Sequence, residues 1–253
     1  MSRGRRSRPE GSVVLLSGGM DSTTCLAIAS REETPVHALT VIYGQRHDRE
    51  VRSARAVARH FAVRDHQVVT LPVRHLLDSA LTDRRKPLPA GRSHRTQIPA
   101  TYVPARNTLL LALALGYAES RGAGAIYLGI NAIDFSGYPD CRPEYLRAFQ
   151  RLARLGTRAG VEEGRPIAIR APLLRMGKAD IVRLGSRLGV PWEKTWSCYR
   201  GGRIPCGQCD ACRLRAQGFR EAGVVDGAGR SAARGRRGGR SPRKNGNVET
   251  YPK

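Results

Sequence analysis

Two stretches of this chain carry residue types at spacings that can do chemistry. The first is Ser17-Gly18-Gly19-Met20-Asp21-Ser22. Paired glycines let a backbone approach a ligand closely and accept positive φ. A helix that starts near Asp21 would aim its free N–H groups into the loop, which makes an anion site. Ser17 and Ser22 add hydroxyl donors. Asp21 opposes a bound phosphate, so it reads either as a magnesium ligand or as a helix cap. No Gly-Lys-Ser/Thr follows the glycines, so this is not a Walker A loop. A tight Gly-Gly turn with a capping aspartate fits the spacing equally well.

The second stretch holds Cys198, Cys206, Cys209 and Cys212, four of the six cysteines within fifteen residues. Four thiolates close a tetrahedral shell around zinc and leave no position for water, so one structural zinc per chain is expected. Gly207 and the Gly201-Gly202 pair allow tight turns around it. A ferredoxin-type cluster would need another cysteine shortly after Cys212, and residues 213–217 have none. Disulfides are disfavoured, because this chain is neither short nor evidently secreted.

These groups need elements to hold them. SVVLLS (12–17) reads as a buried strand, and VHALTVIY (36–43), HQVVTLP (66–72), AIYLGIN (125–131) and RPIAIRAP (165–172) read as four further strands. Helical spacing is expected over 21–31, 48–61, 104–120, 142–159 and 177–188, with a short helix ending near Gly223. Residues 73–100, rich in Pro and Arg, are expected to be an insertion or flexible loop. Five alternations of strand and helix predict an α/β fold: a parallel five-stranded sheet with helices on both faces. Ligands should then sit at the carboxyl ends of the strands. The expected organisation is a disordered basic arm (1–10), a nucleotide-binding α/β domain (11–190), a zinc-binding segment (191–225) and a disordered basic tail (226–253).

The 253 residues are 40% hydrophobic and 26% charged, as in a globular protein, and no apolar run reaches the ~20 residues of a membrane span. No signal-type stretch follows the basic N-terminus, so a cytoplasmic location and no membrane contact are expected. The net charge of +23 is spread out: residues 1–10 contribute +3, residues 226–253 contribute +6, and +14 stays on the body. All but five of the 44 basic residues are Arg. So uniform a bias reads as a habit of composition as readily as a polyanion surface, although the tails leave nucleic-acid contact open.

SGGMDS resembles the SGGxDS pyrophosphate loop of the PP-loop ATPases, which activate a carbonyl or carboxylate by adenylation. TVIYGQRHDREV (40–51), TYVPARNTLLLALALGYAE (101–119), NAIDFSGYPDCRPEY (131–145), PLLRMGKADIVRLGSRLGVPWEKTWSC (172–198) and CGQCDAC (206–212) resemble the 7-cyano-7-deazaguanine synthase family of queuosine biosynthesis. That resemblance runs from about Ser12 to Gly223. It implies a PP-loop fold related to the adenine-nucleotide α-hydrolases and a carbon–nitrogen ligase, a homodimer using ATP, Mg2+ and Zn2+. The reaction it implies joins 7-carboxy-7-deazaguanine and ammonia to give the nitrile preQ0. The carboxylate is adenylated, ammonia displaces AMP to give an amide, and the amide oxygen is activated and lost.

The resemblance assigns the nucleotide to Leu16, Ser17, Gly18, Gly19, Met20, Asp21, Ser22, Thr23, Thr24, Cys25 and Leu26. Asp21 and Ser22 would act with Lys178 and Arg106. Lys178 lies in a helix first turn, where the dipole disfavours a cation unless a phosphate offsets it; an exposed lysine is the plain alternative. Arg106 and Asn107 open the apolar helix and face phosphate or substrate, or else cap it. Asp134, Ser136, Tyr138, Asp140 and Arg142 are expected at the substrate. A carboxylate there can accept from a guanine-like edge, the Arg can pair with the substrate carboxylate, and Tyr138 or Phe135 can stack. Cys141 is a pocket residue without a nucleophilic task, and His47 is structural. Competing readings are another PP-loop enzyme that adenylates a tRNA base, of thiolating or lysidine type, and a non-catalytic zinc module that binds nucleic acid.

Overall fold

Both faces of the first strand are apolar because both are covered. Val13 and Val14 of β1 (Ser12–Leu15) are fully buried on opposite sides of the sheet. The computed structural model describes residues 11–83, 85–88 and 98–228, without the side chains of Phe135 and Ser136. The chain continues through α1 (Met20–Glu32), β2 (Val36–Ile42), α2 (Arg49–His60), β3 (Asp65–Thr70), α3 (Arg106–Arg121) and β4 (Ala125–Tyr127). Then follow α4 (Ala132–Gly137), α5 (Pro143–Leu155), α6 (Arg158–Val161), β5 (Ala168–Arg170), α7 (Lys178–Arg187) and α8 (Asp210–Ala222).

Five parallel strands pair in the order β3-β2-β1-β4-β5. Ser12 is in register with Val36 on one side and with Ala125 on the other. Successive strands therefore move outward from β1 in opposite directions, and a crevice opens where their order reverses. One core packs Val14 and Leu16 against Leu26 of α1, Val57 of α2, Ile181 of α7 and Phe219 of α8. The other packs Val13 and Leu39 against Leu111 of α3 and Phe149 of α5. The sheet and its two-sided cover are as the sequence predicts.

Three local expectations change. The helix expected over 142–159 stops at Leu155, because Thr157 restarts the chain by accepting the Gly160 N–H at 3.1 Å. Asn131 and Asp134 form a reciprocal capping box that folds residues 132–137 into α4, immediately beyond β4. Asp226, expected to open the tail, is tied to the buried Arg215 at 2.7 Å.

The described parts of 73–100 contain only turns and irregular backbone. Arg46 pins this insertion by donating to Ala80 O and Asp83 O, both at 2.8 Å, and to Lys86 O. The basic arm and residues 229–253 lie outside the described residues. Among the described residues no helix is long and apolar enough to cross a membrane.

Candidate active site

The glycine loop joins β1 to α1 with little room to spare. Gly18 has φ of +79°, and a Cβ there would lie 2.4 Å from Ala54 N and 2.7 Å from Glu50 O. The loop fastens itself internally. Ser17 Oγ and Ser22 Oγ are 3.0 Å apart, Ser22 Oγ donates to Gly19 O, and the Gly19 N–H donates to Ser17 Oγ. Gly19 is the N-cap of α1, so the first-turn N–H groups of Met20, Asp21 and Ser22 have no carbonyl within the helix to reach. Gly129, just past β4, passes this turn so closely that a Cβ would stand 2.7 Å from Ser22 N. Only a glycine lets β4 end there.

Asp21 is therefore inside the helix and is not its cap. Its Oδ2 accepts from Lys178 Nζ at 2.7 Å and from Asn131 Nδ2 at 3.3 Å. Its Oδ1 is buried and has no hydrogen-bond partner among the described residues. Asn131 Nδ2 also donates to Asp134 Oδ2 at 2.6 Å. Three elements thus bring one amine and two carboxylates together at the mouth of the glycine loop. Burial works against the charge on Lys178, but Asp21 and Asp134 outweigh it and hold the ammonium more firmly than on a free lysine. Burial pushes the Asp134 carboxyl up to about 6; Lys178 pulls against this and the Asp21 charge adds to it. A buried carboxylate oxygen without a partner, beside a second carboxylate, is a donor set that fits a divalent cation.

These groups line a cleft of about 300 Å³ at the carboxyl ends of β1, β2 and β4. The lining also includes Arg106, Asn107, Cys141 and Tyr138. The Arg106 guanidinium lies 5.9 Å over the Tyr43 ring. Tyr138 stacks on Tyr102 at 6.1 Å, and its hydroxyl is 2.9 Å from that of Thr101. Burial pushes the Cys141 thiol up, which suits a pocket wall and not a nucleophile.

Several expected residues lie elsewhere. Thr23, Thr24, Cys25 and Leu26 are fully buried behind the loop and do not reach the cleft. Thr24 Oγ1 donates to Met20 O, and burial drives the Cys25 thiol well up. Asp140 is buried because its Oδ2 takes the Asn107 N–H at 2.9 Å, supplying the cap that left-handed Ala105 does not give α3. It is not free to read a base. Arg142 is exposed at the start of α5 and does not line the cleft, whereas Arg106 does. Asp134 belongs with Asp21 and Lys178 rather than with a base edge. Ser136 lies in α4, with its side chain outside the described residues.

The structure adds residues that were not singled out: Tyr43, Glu50, Gly129, Asn131, Trp196 and Tyr199. Tyr43, Glu50, Asn131 and Trp196 lie inside the stretches that carry the family resemblance, but none has a spacing that marks it alone.

The four cysteine sulfurs lie within 4.8 Å of one another, with Cys206 Sγ and Cys212 Sγ 3.9 Å apart. Tetrahedral zinc with bonds of about 2.3 Å spaces its sulfurs by roughly 3.8 Å. A hydrogen bond from the Cys212 thiol and backbone N–H groups pull the Cys209 thiol below its ordinary value. The donor set and its spacing fit a tetrahedral metal. The segment is also a wall of the cleft, because Trp196 N donates to Gly18 O at 2.9 Å and Ser197 and Tyr199 face the cavity. His47 packs against Gly201 and also lines the cleft, with its Nδ1 buried and without a hydrogen-bond partner among the described residues.

Residues 11–223 match the family described as queuosine biosynthesis protein QueC. A 7-cyano-7-deazaguanine synthase of Anaeromyxobacter sp. (strain Fw109-5) is 59% identical over 218 residues, covering 85% of this chain and 93% of that one. The synthase of Anaeromyxobacter dehalogenans is 56% identical, covering 87% and 95%. That of Nostoc punctiforme is 52% identical, covering 85% and 96%. With its glycine loop, cleft and cysteine cluster all inside the matched span, the chain belongs to the queuosine biosynthesis protein QueC family.

Proposed function

We propose that the cleft adenylates the carboxylate of 7-carboxy-7-deazaguanine with ATP and turns it, with ammonia, into 7-cyano-7-deazaguanine, as a carbon–nitrogen ligase. The observation that carries this reading is the cluster of Asp21, Lys178, Asn131 and Asp134 at the open first turn of α1, with Asp21 Oδ1 buried and without a hydrogen-bond partner among the described residues. The loop N–H groups and Lys178 supply positive charge for a pyrophosphate. Asp21 and Asp134 would hold Mg2+, which when bound neutralises charge on the phosphate oxygens. Arg106 and Tyr138 both line the cleft; Arg106 would pair with the substrate carboxylate, and Tyr138 would offer an aromatic face to the deazapurine. Cys198, Cys206, Cys209 and Cys212 would hold one Zn2+ that keeps the Trp196–Tyr199 wall against the glycine loop.

Incubation with ATP, Mg2+, ammonium and 7-carboxy-7-deazaguanine, followed by mass analysis, tests this. The expected products are the nitrile and AMP. Unchanged 7-carboxy-7-deazaguanine with folded, zinc-replete protein contradicts it.

A further inference from the structure

The proposed reaction has a third substrate whose site is still to be found. At neutral pH ammonia is almost wholly ammonium, which has no lone pair to attack a carbonyl. The site must hold a small cation and remove a proton from it. Carboxylates do both, so the acidic groups of the cleft are the candidates.

Most are committed. Asp21 is bonded to Lys178 and Asn131, and Asp134 is bonded to Asn131. Asp140 faces away and caps α3. Glu50 differs. It lines the cleft from the first turn of α2, and its carboxylate has no hydrogen bond or ion pair among the described residues. Its backbone carbonyl packs against Gly18, so the side chain is rooted beside the phosphate loop, where an adenylated carboxylate has to lie. Arg106 also lines the cleft and acts on it electrostatically, yet the two form no ion pair among the described residues. Removal from water pushes the Glu50 carboxyl up to about 7, with Arg106 pulling the other way, which suits a group that takes up and releases a proton at neutral pH.

We propose that Glu50 binds the ammonium ion and accepts its proton as ammonia attacks the adenylated carboxylate. This rests on the function proposed above. Ammonium gives one proton to Glu50. The freed lone pair forms the C–N bond, and the C–O bond to AMP breaks with its electrons going to AMP. The nitrogen then loses a second proton to the departing phosphate or to water, leaving the neutral amide. A carboxylate that instead read the deazapurine edge would be needed before ammonia enters.

The test separates these steps in Glu50→Gln. Exchange of labelled pyrophosphate into ATP, dependent on 7-carboxy-7-deazaguanine and run without ammonium, should stay within about threefold of the unaltered enzyme. kcat/KM for ammonium should fall by at least about a hundredfold, the low end of what a general base contributes. Hydroxylamine, already mostly neutral at this pH, should still give the hydroxamate within severalfold of the unaltered rate. Glu50→Asp, which keeps the acid on a shorter stem, should recover part of the ammonium rate and none of it needs hydroxylamine. Loss of the hydroxylamine reaction alongside the ammonium reaction, or an Asp variant no better than Gln, would overturn the assignment. So would a raised KM for 7-carboxy-7-deazaguanine in the exchange, which would make Glu50 a reader of the base. Absence of exchange in the unaltered enzyme is a separate result; it removes the proposed function and the assignment with it.

Discussion

At the residue scale the account turns on Asp21. It does not cap α1, since Gly19 does, so its place in this cleft has to be explained by what it touches. Asp21→Asn keeps the size and an oxygen for Lys178 but removes the charge a divalent cation needs. Turnover is expected to fall by at least a hundredfold, ~2.7 kcal/mol in barrier, in protein that still folds, with some loss of stability because Lys178 keeps only Asp134 as a counter-charge. Steady-state kinetics beside calorimetry decide this, and normal turnover would leave Asp21 as a structural partner of Lys178. Glu50 allows an independent check on its unpaired state. The folded protein holds its proton up to about 7 against an ordinary 4.5, so the stability it contributes is full below about pH 4.5 and is lost as pH rises through 7. Glu50→Gln escapes that loss. It should melt later than the unaltered protein at pH 8, by a margin worth about 1–2 kcal/mol once water in the open cleft is allowed for, and not at pH 5. An equal shift at both pH values would show that the gain is not electrostatic. The sequence displays Asp21 because the glycines frame it. It hides Glu50, because one glutamate in a charged amphipathic helix looks like a solvated face until the fold turns it inward.

At the element scale the zinc-type segment and the phosphate loop are one unit. The Trp196 N–H is bonded to Gly18 O, Arg49 lies 4.8 Å over the Trp196 ring, and α8 packs on α7, whose first residue is Lys178. Loosening the cysteine cluster should therefore weaken nucleotide binding as well as stability. Cys206→Ser is expected to lower bound zinc, measured by elemental analysis, and ATP affinity together, because metal binding at such a site is coupled to folding. A brown protein with stoichiometric iron would contradict the metal, and zinc loss with unchanged ATP affinity would contradict the coupling. The strands and most helices were legible because buried apolar runs and 3.6-residue periodicity are local signals. The capping box of Asn131 and Asp134 was not, since a six-residue helix in a Gly- and Pro-containing segment has too little periodicity to register. Asp140 was misjudged for a related reason. A carboxylate beside a strand end can face a ligand or a neighbouring helix terminus, and only the tertiary fold places it under α3.

At the scale of the whole molecule the order of the strands sets where the reaction occurs. The connections that leave β1 and β4 run to opposite halves of the sheet, and the glycine loop, Asp21 and Asp134 sit just beyond the carboxyl ends of these two neighbouring strands, where Lys178 of α7 reaches them. The chain beyond α8 is joined to this body through Asp226, which accepts from the buried Arg215; Arg215 in turn donates to Trp192 O and Ser197 Oγ. A chain ending at residue 228 should keep its stability and its turnover within about threefold. A chain ending at 223 strands the Arg215 charge and should lose at least about 2 kcal/mol, read from denaturant unfolding. Loss of activity in the longer chain would give the Arg-rich tail a part in the site. The central claim, that this cleft adenylates the carboxylate of a deazapurine, is tested most directly by pyrophosphate–ATP exchange without ammonium. The account predicts exchange that requires 7-carboxy-7-deazaguanine and Mg2+ and disappears in Asp21→Asn. Exchange that runs without that substrate, or only with tRNA, would contradict it.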